Sequence, residues 1–141
     1  MREIKFRAWD KEQKMVLGYK QLCDQQSNVF SRMFNGESNW LPMQYTGLKD
    51  KNGVEIYEGD IVRCKVKDNK DKRKLSENYI SDVFWDIDCW CVHESPNCDT
   101  QLSRFTDEDN KWPKTVIEVI GNIYESPELL ESARWTEEHH E

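Results

Sequence analysis

Residues 45–66, YTGLKDKNGVEIYEGDIVRCKV, carry glycines at 47, 53 and 59, spaced six apart between runs that alternate apolar and polar side chains. Alternation with a period of two is the mark of a half-buried strand. Asn52-Gly53 is a strong signal for a tight hairpin, because both residue types tolerate positive φ. Val54 and Ile56 point one way from the following run, Glu55 and Tyr57 the other. Gly59-Asp60 breaks that alternation. IVRCKV then restarts it, with Ile61, Arg63 and Lys65 on one face and Val62, Cys64 and Val66 on the other. No Gly-rich loop opens onto a helix, and no Lys-Ser or Lys-Thr follows, so these glycines suit turns and bulges and not a phosphate cradle. The stretch reads as a structural corner between strands.

The flanking sequence extends the same pattern. REIKFRAWD alternates, a polar turn follows at Asp10–Glu12, and KMVLGY returns, which predicts a β-hairpin. Residues 23–39 are polar around a short apolar island, VFSRMF, and predict a loop with at most one helical turn. Pro42 lacks a ladder donor and predicts an edge strand or irregular entry. YISDVFWDIDCWCVHE is rich in aromatic and β-branched types and predicts one long strand or two short ones. TVIEVIGNIYE predicts a strand bent at Gly121-Asn122. SPELLESARW offers a helix start, with Ser126 as cap, Pro127 in the first turn and Glu128 against the dipole. The expectation is one domain over 1–136 and a frayed acidic tail over 137–141.

Composition narrows what such a domain does. The chain has 141 residues and a formal charge of -7, so phosphate backbones and anionic membrane surfaces repel it overall. No apolar run approaches the roughly 20 residues that span a bilayer. The first ten residues lack the apolar core of a signal peptide. A cytosolic protein is expected, with its five cysteines reduced.

Four constellations bear on chemistry. Cys89, Cys91 and His93 alternate, and Cys98 follows a Pro-Asn turn, a set with the soft donors that zinc takes. Against it, alternate side chains on a strand stand roughly 7 Å apart, too wide for neighbouring ligands unless the strand bends. Asp86 and Asp88 share a strand face but read as a wet outer surface. His139 and His140 lie in the tail. The basic run over 63–74 is the one place for nucleic acid, with Asp68 and Asp71 interrupting it. No nucleophile elbow is present. The expectation is a protein that is not an enzyme and needs no cofactor.

Three blocks, MREIKFRAWD, MQYTGLKDKNGVEIYEGDIV and VIGNIYESPELL, together resemble the YopX family of phage and prophage proteins. The blocks lie near the start, middle and end of the chain, and residues 67–115 depart from the pattern. The resemblance implies a phage-derived, cytoplasmic, oligomeric protein and carries no catalytic residues. GDIV entering a strand also looks like a turn of small SH3-like barrels, where a carboxylate caps backbone N–H groups. The fold expected is mostly β: an SH3-like or partly open small barrel with β-hairpins and one short C-terminal helix. Gly47, Asn52, Gly53, Gly59, Asp60, Gly121 and Asn122 are its expected turns. The function expected is a non-enzymatic interaction module that self-associates and meets a phage or host protein, with Trp9, Trp40, Tyr45, Trp85 and Trp90 as candidate anchors. The alternatives are a nucleic-acid-binding barrel using 63–74 and, behind it, a zinc or thiol enzyme at Cys89, Cys91, His93 and Cys98.

Overall fold

The N-terminal alternation does form a hairpin: β1 (Phe6–Asp10) pairs antiparallel with β2 (Met15–Leu17). Asp10 closes it, its carboxylate accepting the N–H groups of Glu12 and Gln13 at 2.9 and 3.1 Å. The structure, a computed structural model, describes residues 3–25, 28–65, 79–86, 89–95, 98–101 and 116–131. After β2 the chain forms two short helices: α1 (Tyr19–Cys23), which cuts short the predicted returning strand, and α2 (Val29–Phe34), which falls on the VFSRMF island and is longer than the one helical turn allowed there. The reason is burial. Leu22 of α1 and Met33 of α2 reach Ala8 of β1 and close a small core with Phe6, Leu17, Phe30 and Trp40 packed around it. Packing of this kind, more than propensity, sustains helices this short.

Next come β3 (Trp40–Lys49) and β4 (Glu55–Tyr57), completing a sheet of order β2-β1-β3-β4. Pro42 therefore lies on an inner strand and not on an edge. It is tolerated because β3 pairs with β1 over 40–44 and with β4 only from Tyr45 onward, which leaves Pro42 a strand on one side alone. The β3–β4 connection is also longer than the predicted two-residue turn. Gly53 takes φ +80°, whereas Asn52 stays at negative φ. Asp50 shapes the loop instead: its Oδ1 accepts Asn52 N–H and Val54 N–H, and its Oδ2 accepts Val119 N–H at 3.0 Å from across the fold.

β5 (Asp60–Lys65) is the middle of a second sheet, β10-β5-β6, with β6 (Tyr79–Asp82) and β10 (Val116–Asn122). A third sheet joins β7 (Phe84–Asp86), β8 (Cys89–Ser95) and β9 (Cys98–Gln101). The aromatic run thus yields three strands, not one or two. The break between β6 and β7 is at Val83, whose N–H and C=O are taken by Asp60 C=O and Gly59 N–H at 2.9 Å each. The corner at 59–60 draws that residue out of the ladder.

The sheets curl into a half-barrel. Its main core is Ile56, Val62, Cys64, Val83, Trp90, Val92 and Ile117, and a second cluster joins Trp9, Met43, Tyr45 and Tyr57. β10 bulges between Val119 and Gly121 against β5. Asn122 then accepts the N–H groups of Tyr124 and Glu125 and turns the chain into the short C-terminal helix at 128–131. Gly121 is needed for approach: a Cβ there would lie 3.2 Å from both Leu129 Cδ1 and Ser126 Cβ.

Candidate functional site

The Gly59-Asp60 corner holds a buried carboxylate paired with a cation from the N-terminal strand. Gly59 sits at φ +85° with Met43 and Ile123 packed close, a conformation that glycine adopts without the cost a side chain incurs. The turn buries the Asp60 side chain to 1% exposure. Its Oδ2 accepts Tyr57 N–H at 2.8 Å, and its Oδ1 accepts from Arg7 Nη2 of β1 in a buried ion pair. The expected carboxylate-capped turn is present, with a guanidinium as an added partner. Burial pushes the Asp60 carboxyl up to about 6, while Arg7 and the Tyr57 N–H pull it back.

Arg7 is held by the Asp60 carboxylate and the Tyr57 ring. Its Cζ lies 4.4 Å from the Tyr57 ring centroid, and its Nε is buried without a hydrogen-bond partner. Two residues earlier on the same face, Lys5 lies 4.9 Å from the Tyr45 ring centroid and pairs with Glu55 and Glu3. The Glu55 carboxylate raises the Lys5 ammonium, and burial pushes the Tyr57 phenol up to about 12. Tyr45 and Tyr57 face each other in register with ring centroids 5.4 Å apart. The result is a ladder of alternating cations and rings across β1, β3 and β4. Its acids and bases are bound to one another, and it ties the N-terminal strand to the corner.

The surface offers a different feature. Of the aromatic anchors expected from sequence, Trp9, Tyr45 and Trp90 are buried in the two larger cores, where their alternating strand faces direct them. Trp9 stacks on Tyr124 at 5.6 Å. Trp40 is half-buried and lines a groove of about 210 Å³ with Val29, Arg32 and Ser38. Trp85 is 48% exposed and meets Trp90 edge-on across the strand pair at 4.9 Å. A further apolar feature among the described residues lies on and beside the helices. Phe34 is 52% exposed, Ile4 62% and Tyr19 37%. Phe6, Phe34, Phe30 and Tyr19 form a continuous chain of rings, 5.0, 6.3 and 6.3 Å apart in turn. Sequence reasoning missed this face because 23–39 read as loop. The signal was in VFSRMF: Phe30 and Phe34 stand four apart, on one side of any helix formed there.

On β8, Cys89 and Cys91 approach to 3.4 Å between sulfurs, much closer than an ideal strand holds them. His93 turns to Phe84, with ring centroids 4.4 Å apart and Asp82 Oδ1 4.0 Å from its Nε2. Cys98 lies on β9 opposite Ser95, and its side chain is outside the described residues. Among the described residues no three His, Cys, Asp or Glu side chains converge as a metal site. Of the basic run, 66–74 is outside the described residues, and Arg63 lies beside Glu118 at 3.8 Å. Asp88 and the 137–141 tail, with His139 and His140, are likewise outside. No helix among the described residues is long and apolar enough to cross a membrane.

A curled β half-barrel, carboxylate-pinned at its turns and closed by a short C-terminal helix, defines the class. The YopX protein family model matches residues 5–131, and the chain belongs to that family. A crystal structure of protein EF1440 from Enterococcus faecalis is similar over 92% of this chain and 99% of its own, with a TM-score of 0.57 and 28% identity. No curated protein matches the chain.

Proposed function

We propose that this chain is a phage- or prophage-encoded accessory protein of the host cytoplasm that acts through protein contacts without catalysis, and that its first contact is with a second copy of itself. The observation that carries the reading is the ring chain Phe6–Phe34–Phe30–Tyr19, half-buried at Phe6 and Phe30 and exposed at Phe34 and Tyr19. Exposed aromatic patches of this kind mark interfaces. The occupant follows from the rim. Lys20 and Arg32 lie on the two helices, while Glu3 and Glu37 flank the patch in sequence. A two-fold contact sets one face against its own copy, and a rim of both signs supplies its own opposite charges there. The family resemblance supports the phage origin.

The test is solution mass by light scattering for wild type and for Phe34→Asp. Phe34 is more than half exposed, so the substitution is expected to leave the fold intact. Wild type is expected to show a multiple of the chain mass, and the variant to weaken association at least about tenfold, since a charge forced into an apolar interface costs more than 1.4 kcal/mol. Because the chain carries -7, added salt is expected to preserve or strengthen the assembly by screening repulsion. A monomeric wild type, or a variant mass equal to wild type, contradicts the reading. Steeply salt-sensitive binding to DNA or RNA would favour the nucleic-acid alternative instead.

A further inference from the structure

We propose that Cys89 and Cys91 are a redox-active dithiol that closes to an intramolecular disulfide by exchange with a low-molecular-weight disulfide such as oxidised glutathione. Alternate residues of an extended strand place their Cα atoms about 6.7 Å apart with side chains nearly parallel. Here the two sulfurs are 3.4 Å apart, in contact, far closer than that parallel arrangement holds them. The Cys91 Sγ also lies 3.8 Å from the Cys89 carbonyl oxygen.

Burial separates the two roles. Cys89 is half-buried and heads β8, whereas Cys91 is 4% exposed. The Cys89 thiolate is therefore the one that meets the oxidant. It attacks one sulfur of the small disulfide, forming a mixed disulfide and releasing one thiolate. Cys91 then attacks the Cys89 sulfur, its proton passing to the departing small thiolate, and the second small thiol is expelled. Two protein thiols are oxidised by two electrons, and one small disulfide is reduced to two thiols.

The strand sets the character of the closed form. A disulfide spans Cα separations of roughly 4.4–6.8 Å, and the extended spacing lies at the wide end of that window. Closure draws the first residue of β8 along its strand, against its pairing with Asp86. Disulfides formed under such constraint reopen readily and serve as switches more than as staples. The observation is independent of the self-association reading, since it lies on a different sheet.

The experiment treats the reduced full chain with oxidised glutathione, blocks remaining thiols with an alkylating reagent, and maps the digest by mass spectrometry. The peptide holding both residues is expected to lose two hydrogens, with alkylation of Cys89 and Cys91 falling about tenfold and returning on addition of reduced glutathione. Exposed Cys23 is expected to retain a glutathione adduct as the internal control. Cys91→Ser is expected to trap that adduct at Cys89. If this buried substitution prevents folding, the wild-type map decides alone. A persistent adduct on wild-type Cys89, full alkylation of both residues after oxidation, or a link from either to Cys98 overturns the proposal.

Discussion

Replacing Arg7 with Met is expected to cost about 3 kcal/mol of stability at pH 7, measured by urea unfolding. Met keeps an apolar stem over the Tyr57 ring but removes the guanidinium, leaving the Asp60 carboxylate buried with Tyr57 N–H as its partner from the turn. Removing one member of a buried pair is costly because an uncompensated charge remains. The same logic fixes the pH dependence. In the wild type, burial raises the Asp60 carboxyl from 3.8 to about 6. Between those values the folded chain holds a proton that the unfolded chain has released. This carboxyl's share of stability therefore falls as pH rises through that window, and changes no further above it. Without Arg7 the pull toward ionisation is lost, so the window extends upward and the Arg7→Met deficit shrinks on acidification. Asp60→Asn, neutral at every pH, isolates the effect. The difference between wild type and Asp60→Asn is expected to move against wild type from about pH 4 to pH 6. A difference that moves the other way contradicts the assignment.

Asp50→Ala is the second large effect expected, about 3 kcal/mol or roughly 10 °C in Tm. Its carboxylate accepts from Asn52, Val54 and Val119, and so joins the β3–β4 loop to β10 across 69 residues of sequence. After truncation the N–H groups of exposed Asn52 and Val54 turn to water, whereas that of half-buried Val119 is stranded. Asp50→Asn keeps one acceptor oxygen and is expected to restore about half of the loss. Hydrogen exchange locates the damage: the Val119 amide is expected to lose protection in Asp50→Ala before the β1–β3 ladder does. Equal loss across both sheets would show that the carboxylate is not a local tie.

These two residues illustrate what a reading of the sequence reaches. Gly53 and Gly59 are legible as turns because positive φ is a local demand; Gly47 also takes positive φ, but inside β3, at the irregularity in its pairing with β4 and not at a turn. The Asp60 cap is legible for the same reason, since its acceptor work is done on Tyr57, three residues away. Arg7 is not legible as its partner, because a contact across 53 residues leaves no mark on local pattern. Asp50 is hidden by Asn52-Gly53, so strong a hairpin signal that it masks a loop shaped by the carboxylate two residues before it. Aromatic anchors divide similarly. Composition shows that Trp9, Tyr45 and Trp90 bury large area somewhere, but only the curled sheets turn them inward. Phe30 and Phe34 became a surface feature because α2 exists, and α2 exists because Met33 finds Ala8 and Leu22.

The alternation and the corner thus arise from local chemistry, and the keystone arises from tertiary proximity. The Asp60 carboxyl reports on that keystone most directly. Its titration, followed by NMR at the side-chain carboxyl carbon in wild type and Arg7→Met, is expected to centre near pH 6 in wild type and higher in the variant. A midpoint in the ordinary aspartate range, unmoved when Arg7 is removed, would contradict a buried pair at the heart of this half-barrel.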